Sequence, residues 1–375
     1  MPLFCSSRGA IPITMPVRFL QLRSLKCNCM TFVFFNFLIL FFGSCKTAIV
    51  QAPFTTASVD TLLSDKITIR AIQVDGDRLW YGGDRNRFGC ISLDGKTLVA
   101  RKVSDSAPDA ELRSIGSTQK QVFYLNTGTP AVLYRVNKID FSIAECYRDN
   151  DKDAFYDSLM FDGNVFGAAI GDPIDGCPSV LTTDDHGTTW HKIDCNSLPA
   201  SAKGEASFAA SNSNLMLSGS TIRFVTGGVK ARLFSSSDRG KTWTVFNTPL
   251  VQGKQMTGIY SADQLNEKTI IIAGGDYDNQ QANTGNKAIS FDGGKSWQLL
   301  AEGSGPGYIS CVRFVPGTDG KSIVTVGGTG LHYSSDGGRT WKQLLSDKDL
   351  YTIKFINNSE AVAAGRNKIV RIHFR

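Results

Sequence analysis

The chain has 375 residues, of which 20% are charged, and a formal net charge of +6. The positive balance is local: Arg8, Arg18, Arg23 and Lys26 stand in the first 44 residues with no acid, so the remainder carries +2 and no Lys/Arg cluster, which argues against a nucleic-acid partner. The four histidines form no ligand spacing with one another or with a cysteine, so neither a metal nor a cofactor is expected.

In chain order, the first element is an address. After the basic segment comes an apolar stretch from Thr31 to Phe42, then Gly43-Ser44-Cys45, the pattern of a bacterial secretion signal of lipoprotein type over residues 1–44. Phe42-Gly43-Ser44-Cys45 resembles a lipobox with Phe where Leu is usual, and the resemblance implies that Cys45 is acylated. Met15 opens a more compact basic region than Met1, making it a second candidate start. Residues 45–64 read as a tether, and 65–375 as one all-β domain.

The run from Lys66 to Thr97 then sets a grammar of short β-branched strands, paired glycines and an Asp-Gly corner at Asp94. Leu112 to Ile143 supplies a second unit, and four fuller copies follow with the pattern Ser/Thr-x-Asp-x-Gly-x-Ser/Thr-Trp. Their aspartates, Asp185, Asp238, Asp292 and Asp336, lie 53, 54 and 44 residues apart, and their tryptophans are Trp190, Trp243, Trp297 and Trp341. A final unit from Asp349 has no such corner. The period suits four-stranded propeller blades and predicts a seven-bladed β-propeller, closed by pairing Asn367–Phe374 with an N-terminal strand.

Each corner makes sense as a hairpin turn. The aspartate accepts from backbone N–H groups, the glycine supplies positive φ, and the tryptophan begins the outgoing strand. These residues resemble the Asp-box (BNR) motif of sialidases, xyloglucanases, sortilin-type receptors and photosystem II assembly factors, and the resemblance implies a structural role on the propeller's outside, away from the ligand. Cys177 and Cys195 each lie nine residues from His186 at the centre of the first box hairpin, a spacing that predicts a disulfide in an oxidising compartment.

Outside the boxes, GDPIDGCPSVLTTDDHGTTW, GEASFAASNSNL, the segment from Ile270 through Trp297, and GYISCVRFVPGTDG resemble a bacterial branch related to the photosystem II stability/assembly factors. That resemblance implies a scaffold at the bacterial cell envelope, held to the membrane by its lipid and binding a protein partner. The alternative is a glycoside hydrolase acting on a glycan, whose mark is two carboxylates converging in the central funnel with pKa values pushed apart. Because propeller blades reuse one frame, the longest polar departures from it are the candidate binding face: Asp172, Asp175, Glu205, Asp276, Tyr277 and Asn279, opposite the Asp boxes.

Overall fold

A computed structural model describes residues 52–103 and 110–375. The secretion leader and Cys45 lie outside the described residues. The strands begin at Ala57, within the segment read as tether. The architecture is all-β: antiparallel meanders radiate from a ring of first strands, in which each touches the next. In order these are Ala57–Asp75, Glu111–Ser117, Tyr156–Asp162, Leu215–Ser218, Thr257–Gln264, Ile309–Phe314, Leu350–Phe355, and back to the first.

The expectation of a seven-bladed propeller is corrected: among the described residues hydrogen bonding gives six sheets, and so six blades. The reason lies in the two terminal strands. Ala57–Asp75 pairs through Ala57–Ser64 with Lys368–Phe374, then through Ile69–Asp75 with Arg78–Gly83. The last strand, Glu360–Phe374, bends at Asn367 (φ 63°) so that the Phe374 N–H donates to the Ser359 carbonyl at 2.8 Å. What the repeat reads as a first unit and a last unit is therefore one continuous sheet, in which the N-terminal strand closes the ring against the C-terminus.

Strand alternation puts apolar side chains between neighbouring sheets. Phe123, Leu125 and Leu133 of one sheet pack on Leu159, Ala169 and Leu181 of the next, and similar clusters recur around the ring. Each such Leu or Phe side chain contributes roughly 1.5–3 kcal/mol when fully buried.

The Asp boxes close the outer hairpins. Asp238 accepts from the Thr242 hydroxyl at 2.6 Å, the Thr242 N–H at 2.9 Å and the Ser236 hydroxyl at 2.8 Å. Those bonds, the Thr242 hydroxyl first, hold its carboxyl down at about 2. Asp292 is held at about 2 in the same way by Ser296 and Ser290. Gly294 (φ 92°) is required twice over, since a Cβ there would also sit 2.2 Å from Leu233 of the preceding sheet. The indole N–H groups of Trp190, Trp243 and Trp341 donate to the carbonyls of Gly187, Gly240 and Gly338.

Candidate functional site

Six of the first strands carry a register break at an equivalent point. The residues set off by the breaks are Arg70, Arg113, Asp157, Tyr260, Ser310 and Tyr351. A β-bulge re-aims a side chain away from the ladder. Here five of the six, all but Asp157, line adjoining cavities of about 210 and 220 Å³ at the mouth opposite the Asp boxes, together with Phe208, Tyr277, Gln280, Tyr308, Lys348 and Arg366.

This mouth is aromatic and cationic. Phe208 stacks on Tyr260 with centroids 4.0 Å apart, Tyr260 meets Tyr308 edge-on at 4.8 Å, and Tyr308 meets Tyr277 edge-on at 5.2 Å. The Arg70 guanidinium lies 4.3 Å above the Tyr351 ring and donates to the Ala210 carbonyl at 3.2 Å, while its Nε–H has no partner. No carboxylate lies within ion-pair distance of Arg70 among the described residues, and burial, followed by the nearby Arg113, pushes its pKa down. Arg113 and Arg366 are paired, with Glu111 at 2.6 Å and Asp349 at 3.5 Å.

The channel behind the mouth is crossed by the segment Ser207–Asn214. Asn212 donates to the carbonyls of Ile115 (2.7 Å) and Leu159 (3.2 Å) and accepts from the Leu159 N–H (2.8 Å). Ser211 donates to the Ser310 carbonyl at 2.6 Å, Ser213 to Ser261 at 2.7 Å, and the Thr352 hydroxyl donates to the Ser211 carbonyl at 3.2 Å. One short segment thus ties strands from around the ring and divides the channel into two ends.

The residues singled out from sequence divide. Tyr277 lines the mouth. Asp276 accepts from the N–H groups of Asp278 and Asn279 at 3.0 and 3.1 Å, which makes Asp276 and Asn279 a turn beside it. Asp175 is the positive-φ corner (51°) of a tight hairpin. Glu205 is buried and committed to Arg232, Thr226 and the Ala202 N–H. Asp172 sits under the crossing segment, accepting from the Ser207 N–H at 2.8 Å, and burial raises its carboxyl to about 6. Its neighbour Asp157 is also raised well above the usual carboxylate range, by burial and then by Asp172 itself. Sequence reasoning missed the bulged arginines and tyrosines, although the strands share a signal: a polar or aromatic residue, a small one, then an aliphatic, as in Arg70-Ala71-Ile72, Arg113-Ser114-Ile115 and Tyr351-Thr352-Ile353.

Cys177 and Cys195 are joined, with Cα atoms 5.6 Å apart. The hairpin bonding runs to the Ile193 N–H on the Val180 carbonyl at 2.9 Å, and Cys195 then opens a 3-10 turn capped by Asp194.

A family model described as BNR/Asp-box repeat matches residues 288–299, the third full box. No curated protein matches the chain. Among solved structures, YCF48 bound to D1 peptide aligns over 88% of this chain and 98% of its own, with TM-score 0.63 and 16% identity. YCF48 from Cyanidioschyzon merolae aligns over 85% and 99%, with TM-score 0.61 and 13% identity. The chain is a β-propeller that carries Asp-box corners and is similar in fold to YCF48. The GH74 enzyme of Niastella koreensis also aligns, over 83% of this chain at TM-score 0.57 and 13% identity, but the chain spans only 53% of that enzyme. At these identities the likeness is one of fold alone.

Proposed function

We propose that the protein is a binding scaffold that captures an extended, acidic segment of a protein partner at the mouth opposite the Asp boxes. The observation that carries this reading is Arg70, a buried guanidinium without a carboxylate partner at the centre of a tyrosine-lined mouth. A carboxylate entering there relieves an unpaired buried charge, while Tyr277, Tyr308 and Tyr351 offer flat surfaces for side chains on either side of it. The similarity to a propeller solved with a bound peptide supports the same mode. In this reading the chain is exported and held at the bacterial envelope by a lipid on Cys45.

The hydrolase alternative is supported by the fold likeness to the GH74 enzyme and by the raised carboxyl pair Asp157 and Asp172. Neither residue lines the cavities at the two ends of the channel, so a glycan held there reaches neither carboxyl.

The test is site-specific photocrosslinking in envelope membranes with the photoreactive residue at Tyr277, in wild type and in Arg70→Met. Adducts to a protein partner that fall about tenfold in Arg70→Met, equivalent to about 1.4 kcal/mol, are the expected outcome. Equal capture by both forms rejects the site. Cys45→Ser, run alongside, is expected to abolish processing to the mature size, and unchanged processing removes the lipid-anchor reading.

A further inference from the structure

The other end of the channel, on the Asp-box side of the crossing segment, holds a larger cavity of about 420 Å³. Its walls follow from the register. Three residues beyond each bulge position the first strands present Gln73, Gly116, Met160, Asp263, Arg313 and Lys354, and all six line this cavity.

Their order around the ring is not mixed. Asp263, Arg313, Lys354 and Gln73 come from consecutive strands and form a polar arc. Gly116 and Met160, joined by Phe161 and Leu217, form an apolar arc facing it. Asp263 accepts from the Phe314 N–H at 2.8 Å and lies 3.6 Å from Arg313, which also donates to the Ala262 carbonyl at 3.2 Å. Lys354 has only the Gln73 side-chain oxygen, at 3.3 Å, and no carboxylate within ion-pair distance among the described residues. Burial, then the neighbouring Arg313, pushes the Lys354 ammonium down to about 8, with Cys311 and Asp263 acting in the opposite sense. Two cations face one carboxylate, which leaves one positive charge unmatched beside an apolar wall.

We infer that this cavity is a second ligand site, separate from the mouth that carries Arg70, and that it takes a small amphipathic monocarboxylate: the carboxylate on Lys354 and Arg313, the apolar body against Met160, Phe161 and Leu217. Charge and shape agree on this class. A single carboxylate completes the arc, whereas a neutral ligand leaves Lys354 unpaired and a dianion exceeds the available charge.

The experiment is calorimetric titration of the mature chain with 4-phenylbutyrate, 4-phenylbutyramide and phenethyl phosphate, repeated on Lys354→Met. Replacing a poorly partnered buried ammonium by Met is expected to leave the melting temperature unchanged or raise it, so a loss of binding reads the site rather than the fold. The carboxylate is expected to bind wild type at least about tenfold more tightly than either the amide or Lys354→Met allows. Equal binding of acid and amide, equal binding by wild type and Lys354→Met, or no binding of any probe overturns the site. Tighter, Lys354-dependent binding of the phosphate overturns the carboxylate assignment. Because the two ends are divided by Ser207–Asn214, failure here leaves capture at Tyr277 standing, and failure there leaves this cavity standing.

Discussion

At the scale of single residues, burial sets the sign of the chain's pH response. Asp172 is raised to about 6 by burial, with only the Ser207 N–H opposing, and Asp157 beside it is raised as well, by burial and then by Asp172, while Arg113 partly offsets the rise. A carboxyl whose folded pKa exceeds its unfolded value contributes stability that is present below about pH 4 and lost as pH rises through the folded value. Stability is therefore expected to decline as pH rises from about 4 through about 6, the folded value of Asp172, and Asp172→Asn is expected to flatten that decline and stabilise the neutral protein by about 1–3 kcal/mol. Urea titrations at pH 4.5 and 7.5 measure it, and an equal loss in wild type and variant contradicts the assignment. Asp238 and Asp292 act in the opposite direction: held near 2 by box hydroxyls and amides, they contribute stability above about pH 4 that is lost as pH falls towards 2. Asp172 stood out in the sequence as a polar departure from the repeat. Arg70 did not, because a lone arginine between Ile69 and Ala71 reads as part of a strand, and only the bulge turns it to the mouth.

Elements differ in how local their causes are, and that decides what the sequence could show. An Asp box is complete within about eight residues, so its turn, glycine and tryptophan were readable from the pattern alone. Asp336 has its acceptors filled by Ser334, Arg339 and Thr340, all within four positions. Asp336→Ala is expected to cost about 1–3 kcal/mol in chemical denaturation while leaving partner capture by the folded fraction intact. Lost capture at unchanged stability is the contrary result. The crossing segment has the opposite character, since Asn212 bonds to residues 53 and 97 positions away and Ser211 to one 99 away. No local pattern encodes such contacts, and in the sequence residues 204–215 show only a family resemblance and the candidate Glu205, not a crossing segment. Asn212→Ala leaves the Ile115 carbonyl and both Leu159 backbone groups without this partner in a buried setting. It is expected to destabilise by about 2–4 kcal/mol, above the box variant despite removing a neutral side chain. A smaller cost than Asp336→Ala means that water or a neighbour replaces those bonds.

For the whole molecule, the decisive feature is how the ring closes. The repeat announced a propeller because each unit must bury its faces against its neighbours, but the number of separate sheets depends on the terminal strands, which carry no box. Ala57–Ser64 completes the sheet of the C-terminal hairpin, and Phe54 just before it packs on Tyr333 and Phe374 with centroids 4.8 Å from each. A strand that pairs across the two ends of the chain holds the circle shut, and without it Lys368–Phe374 becomes an open edge. A chain beginning at Asp65 is therefore expected to melt well below one beginning at Ala52 and to associate with itself through that edge, as read by thermal melting and size-exclusion chromatography. Because a shortened chain can lose stability for reasons unrelated to closure, the discriminating step is addition of the synthetic peptide Ala52–Ser64. If closure is the cause, the peptide restores both the melting temperature and the monomer in proportion to its concentration, while a version with Phe54 and Leu63 replaced by Asp does not. A shortened chain that melts like the full one, or that ignores the peptide, would show that the ring is held by its inter-sheet cores alone.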